Sequence, residues 1–231
     1  MFDPMYILMV LLPGMLISGI ASFLVKSAFN RFSQVASIRG YTGAEAAQAL
    51  LDYANIHDVR IVPTQGFLSD HYNPLTKELA LSEAVYSSNS VAAVGVATHE
   101  AGHAIQHATG YFPLWARSAI VPLANLGSGL GYLVMVVGLM LLSPKVVMVG
   151  AILFSGVLLF QVVTLPVEFN ASARAKRLVV EAGIVYPEER EGIDRVLNAA
   201  AMTYVAAAIT TLLTLLYFLM RAGVFGGRRD E

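Results

Sequence analysis

The chain has 231 residues, 56% hydrophobic and only 13% charged, with a formal net charge of −1. Soluble domains carry about a quarter charged residues, so this composition, with a mean hydropathy of +0.64, points to a membrane protein and gives no reason to expect nucleic acid as a partner. There is no cysteine, which excludes disulfides and thiolate metal sites and leaves His, carboxylate and water as ligands for any metal.

Four uncharged stretches, 5–25, 118–144, 146–167 and 196–220, each run for at least 21 residues, enough to cross a bilayer core as a helix. The first reads as a retained anchor: Asp3 is the only charge before it, and it is longer than the apolar part of a signal peptide. In the polar segment that follows, Thr42-Gly43-Ala44-Glu45 matches a capping box and predicts a helix to about Asn55. Val59–Val62 reads as a short strand ended by Pro63, Asp70-His71-Tyr72-Asn73-Pro74 as a turn, and Glu78–Leu81 as a second strand. Ser90 can cap a helix from Val91 to Thr109, stopped by Gly110 and Pro113.

Ser143-Pro144-Lys145 makes a tight hairpin between the second and third stretches, and Gly127, Gly129 and Gly131 would let another helix approach closely. Pro166 and Pro187 stand where two further helices could start, with Gly183 ending the first. No internal repeat is present, and the Gly-Gly-Arg-Arg tail at 226–229 reads as disordered. Lys26, Arg31, Arg39, Arg117, Arg174, Lys176 and Arg177 flank the membrane stretches on one side, against Lys145, Arg221, Arg228 and Arg229 on the other. The balance places the side carrying 26–117 in the cytoplasm of a multi-pass cell-membrane protein.

His99-Glu100-Ala101-Gly102-His103 is an H-E-x-x-H motif. On a helix its two imidazoles share one face a turn apart and can grip one ion, while Glu100 can take a proton from water. Zinc suits two neutral imidazoles, a carboxylate and a water. The alternative, two helical histidines on a polar face, sits poorly with surroundings as apolar as Val91, Ala92, Ala93, Val94, Val96, Ala97, Ala101, Ala104 and Ile105, since ionisable groups in such a helix need a partner. Gly95 and Gly102 each cost the helix about 1 kcal/mol relative to Ala, which suggests a close neighbour. His107 continues the series but lies about 12 Å along the axis from His99, too far to share an ion, and reads as an outer residue. For the third ligand Glu168 is favoured, with Asp70, His71, Glu78 and Glu83 as competitors on spacing alone.

The run Ser90–Ala97 followed by His99–Gln106, with Asp70–Pro74 and Glu168-Phe169-Asn170-Ala171-Ser172, resembles the YugP-type family of bacterial membrane zinc metallopeptidases, over nearly the whole chain. That family is similar to the HtpX-like proteases, in which a Glu on a later helix completes a two-His, one-Glu site; the resemblance implies one Zn2+ per chain held by His99, His103 and Glu168. The HtpX-like pattern is Glu-x-x-Ala-Asp, and here Ser172 stands at the fifth position, so bracing of the site would have to come from another group such as Asn170 or His71.

The sequence therefore predicts a mainly α, integral-membrane helical bundle with a small α+β zincin-like part carrying the H-E-x-x-H helix. It forms a single domain, 1–231, with membrane segments about 5–25, 118–142, 146–166 and 199–220 and catalytic segments 26–117 and 167–198. The expected activity is a zinc endopeptidase with Glu100 as general base, acting on membrane or juxtamembrane protein segments. His71, Tyr72 and Arg174 are the candidates for stabilising the oxyanion, and Glu78–Leu81 is a candidate edge strand for substrate pairing. Two other readings are weaker. A zinc-bearing scaffold would leave Glu100 without a use, and a metal transporter would need acidic or His residues within the later spans, which have none. Lipid and a protein substrate are the implied partners; no motif argues for a homo-oligomer or a membrane-protein partner.

Overall fold

The structure is a computed structural model and describes residues 3–224; the 226–229 tail lies outside them. The elements run α1 (Pro4–Phe32), α2 (Gly43–Tyr53), β1 (Arg60–Thr64), β2 (His71–Asn73), β3 (Glu78–Ser82), α3 (Glu83–Tyr86), α4 (Val91–Ala108), α5 (Phe112–Met140), α6 (Pro144–Glu181) and α7 (Pro187–Arg221). Helices α1, α5, α6 and α7 are long and apolar enough to cross a membrane. The chain divides into two compact units, described in turn.

The first unit comprises Met1–Ile20, Ala116–Leu165 and Thr203–Glu231. Leu142 at φ 51° and the bond from Ser143 N–H to Gly138 O turn the chain sharply from α5 into α6. The two arms pack backbone to backbone: a Cβ on Gly131 would lie 2.7 Å from Phe154 N, and one on Gly138 would lie 2.5 Å from Val147 N. Gly129, by contrast, faces open space, so of the three glycines read as contact points only Gly127 and Gly131 are used. Tyr6, Tyr132, Tyr217 and Phe218 form an edge-to-face cluster, beside which the Tyr217 hydroxyl donates to Asp3 at 2.6 Å.

The second unit comprises Ala21–Trp115 and Pro166–Met202. Its core is α4, buried along most of its length among Leu50 and Leu51 of α2, Leu79 and Leu81 of β3, Val85, Ile184, Ile193 and Leu197. The capping box at Thr42 and Glu45 forms as the sequence predicts, with both reciprocal bonds present. The sheet order is β1-β3-β2, with β1 parallel and β2 antiparallel to β3.

Four expectations are corrected. Pro63 does not end β1 but pairs with Leu81 inside it. Arg60 N–H donates to Lys77 O, so by strand alternation the nitrogen of Pro63 faces away from β3, where a missing donor costs no ladder bond. His71–Asn73 is a strand; the turn comes later, where the Asn73 side chain accepts from Leu75 and Thr76 N–H. Glu78–Leu81 belongs to the central strand and is no edge. Finally, Pro166 starts no helix: α6 runs unbroken through it for 38 residues, which a long helix tolerates where neighbours compensate for the lost bond. Pro187 does open α7, and Gly183 at φ 67° follows the end of α6.

Because the hairpin rests on glycine, Gly131→Leu should destabilise the protein by about 1–3 kcal/mol through overpacking, whereas Gly129→Leu should be neutral. Thermal unfolding in detergent checks this; equal melting of both variants would contradict the packing.

Candidate metal centre

Ser90 opens α4 by accepting from Ala93 N–H at 3.2 Å, and Gly110 at φ 62° follows its end. The helix meets α6 where both are small. A Cβ on Gly102 would lie 2.7 Å from Ala171 O, so the missing side chain sets the approach of the two backbones. On α6, Val167, Glu168, Ala171, Ser172 and Ala175 are all buried, and Glu168 and Ser172 stand one turn apart on that face. Glu168 is thus an interior residue of a continuous helix, not a residue at a helix start.

Across this contact the Nε2 atoms of His99 and His103 lie 3.3 and 3.5 Å from the same oxygen, Glu168 Oε2. The two rings are nearly perpendicular, with centroids 4.8 Å apart. One ligand atom from each of the three residues falls within 4.8 Å of the others. Bonds of about 2.0–2.2 Å to a tetrahedral zinc place neighbouring ligand atoms about 3.3–3.6 Å apart, and the imidazole-to-carboxylate separations match those edges. The donor set, two nitrogens and one oxygen, leaves the fourth position of a tetrahedron open, as catalytic zinc sites do. The residues fit the ion.

Both imidazoles are held from behind. His103 Nδ1 is 3.0 Å from Gln106 Oε1, and His99 Nδ1 is 3.2 Å from Ser172 Oγ. Ser172, the departure from the HtpX-like pattern, therefore itself touches a histidine of the site. Asn170 acts one step further back, accepting from Gln106 Nε2 at 3.0 Å and from Arg174 Nε at 2.8 Å. Sequence reasoning missed the role of Gln106; the available signal was its position three residues after His103 on the same helix face.

Glu100 is buried beside the pair. In the metal-free protein, burial would push the His103 imidazole down, but the Glu168 hydrogen bond and the charges of Glu100 and Glu168 outweigh it and raise its pKa.

The other predicted residues lie elsewhere. Tyr72 hydroxyl and His107 Nδ1 are 2.8 Å apart in a cleft of about 370 Å³ lined also by Ile56, Asp58, Lys77 and Ala104. Burial, helped by the Asp58 charge, pushes the Tyr72 phenol up to about 12. His71 is exposed, with Nδ1 on Ser69 O at 2.8 Å, and does not brace the metal centre. Arg174 also stacks over Tyr111, 5.9 Å from the ring centre. The rival ligands are engaged outside the cluster: Asp70 accepts from Ser82 N–H, Glu78 pairs with Arg60, and Glu83 is exposed in α3.

The family model described as "Putative neutral zinc metallopeptidase" matches residues 6–223. The chain is 46% identical over 211 residues to "Putative membrane protease YugP" of Bacillus subtilis (strain 168), covering 91% of this chain and 92% of that protein. No solved structure matches it.

Gly102→Ala should force α4 and α6 apart and weaken zinc binding by about 10–100-fold, the range for loss of a supporting contact; chelator competition measures it, and unchanged affinity would contradict the packing argument. A pH series separates the two metal states. His103 has a raised folded pKa, so in metal-free protein its stabilisation is full below about pH 6.5 and lost as pH rises through the raised value. Zinc-loaded protein should behave oppositely, since protons compete with the ion for imidazole nitrogen. Melting curves of both forms against pH test the opposed slopes.

Proposed function

Because the chain belongs to the neutral zinc metallopeptidase family whose model matches residues 6–223, we propose that it is an integral-membrane zinc endopeptidase with His99, His103 and Glu168 as metal ligands and Glu100 as general base. The convergence of both imidazoles on Glu168 Oε2 at 3.3 and 3.5 Å is the observation that carries this reading. Zinc held there supplies a Lewis acid that polarises a peptide carbonyl and acidifies water. Glu100, next to His99 on α4, accepts the proton of the attacking water on its carboxylate and passes it to the leaving amine. Tyr72 is kept as the oxyanion candidate: it lies outside the ligand cluster, paired with His107, and its phenol, pushed up to about 12, keeps its proton at neutral pH. His71 and Arg174 are less suited, the first exposed and the second held by Asn170.

The catalytic part is zincin-like, an H-E-x-x-H helix covered by a small sheet, within one membrane-peptidase domain spanning 1–231. An extended substrate pairs with the outer edge of β2, since β3 is central. The substrates are membrane or juxtamembrane protein segments: the H-E-x-x-H helix ends at Ala108, four residues before the apolar α5 begins, and Glu168 follows directly on an uncharged run. The excess of Lys and Arg beside 26–117 and 168–195 puts the catalytic side in the cytoplasm.

Metal content by mass spectrometry, with peptidase assays on wild type, Glu100→Gln and Glu168→Ala, tests the assignment. Wild type and Glu100→Gln should carry about one zinc per chain, with Glu100→Gln slowed about 10²–10⁴-fold, and Glu168→Ala should lose most of its zinc. Undiminished turnover in zinc-loaded Glu100→Gln would overturn the base, and full zinc in Glu168→Ala would overturn the third ligand.

A further inference from the structure

The groups behind His103 form a chain whose two ends each have a single hydrogen-bonding role. At one end, Val167 O can only accept, and Gln106 Nε2 lies 2.8 Å from it; the atom of Gln106 facing Val167 must be the amide nitrogen. At the other end, Arg174 can only donate, and its Nε lies 2.8 Å from Asn170; the atom of Asn170 there must be the carbonyl oxygen. That same oxygen accepts from Gln106 Nε2 at 3.0 Å. Both donors of the Gln106 amide are thus committed, and its remaining oxygen faces His103 Nδ1 at 3.0 Å. An acceptor at that position requires the proton to sit on Nδ1, which leaves the Nε2 lone pair, 3.5 Å from Glu168 Oε2, as the nitrogen available to a metal.

From this we infer that Gln106, oriented by Val167 O, is the positioning residue that fixes the tautomer of His103, with Arg174 keeping the Asn170 oxygen turned toward Gln106. The inference rests on the reading of His103 as a zinc ligand. Gln106 is fully buried, so water cannot substitute for it, and loss of one member leaves a buried polar atom without its match. His99 lacks such a device: its Nδ1 meets the hydroxyl of Ser172, which can donate or accept and selects neither tautomer.

The test uses the full chain in detergent, metal-stripped and zinc-loaded, with ¹⁵N-labelled histidine. Two quantities are read for wild type, Gln106→Met, Arg174→Met and Asn170→Asp: zinc affinity by chelator competition, and the solvent-protected Nδ1–H signal of His103. Circular dichroism confirms that each variant is folded. Wild type should show the protected proton in both metal states. Gln106→Met should lose it and bind zinc about 10–100-fold more weakly, whereas Arg174→Met should keep the proton, because Val167 O still orients the Gln106 amide. Asn170→Asp should retain signal and affinity, because a carboxylate accepts from both neighbours as the amide oxygen does. A merely space-filling role of Gln106 would leave the proton signal unmoved in Gln106→Met, and that result overturns the inference. If wild type shows the protected proton and Gln106→Met loses it, yet no form binds zinc, the tautomer assignment stands and the metal assignment to His103 falls.

Discussion

The distance between α4 and α6 at Gly102 and Ala171 governs the site. Several interactions cross that gap: Glu168 to both imidazoles, Ser172 to His99, and Gln106 to Val167 O and Asn170. Each is short enough to fail if the helix axes separate by an ångström. A glycine inside a helix costs about 1 kcal/mol against alanine, and here that cost is offset by contacts that no residue with a Cβ would allow. Ala97, Ala101 and Ala104 of α4 are buried as well, in the core of the same unit.

Within that seam the protein buries a carboxylate and an imidazole, Glu168 at 2% and His103 at 7% exposure. Isolated charges so far from water would be expensive. They are tolerable because each faces the other, and because the His103 nitrogen turned away from the centre is matched by the Gln106 side chain. Two imidazole nitrogens and one carboxylate oxygen gathered there could hold a metal ion.

Much of this was legible in the residues. The membrane stretches follow from length and lack of charge, the α2 start from Thr42 and Glu45, and α4 from Ser90 through Gly110, because local chemistry decides them. The pairing of His99 with His103 follows from helical periodicity alone. Glu168 could be favoured but not singled out from Asp70 or Glu78 by spacing, since its selection depends on two helices meeting 65 residues apart in sequence; a resemblance to known proteases strengthened it. The misreadings share a cause. Pro63, Pro166 and the Asp70–Pro74 segment carry strong local turn or break signals, and in each case packing or sheet position overrode the local preference. Gln106 was passed over for a related reason: its place one turn after His103 is a weak signal until the partner helix puts a carbonyl opposite it.

The sheet carries one more consequence. A three-stranded sheet has two outer edges, and any exposed edge can recruit another chain, including a copy of the same one. On β1 the outward-facing nitrogen of Pro63 has no proton to offer, so a strand arriving there finds its ladder interrupted midway. β2 keeps its backbone groups but is only three residues long, enough to hold a short extended stretch and too little to seed a growing stack.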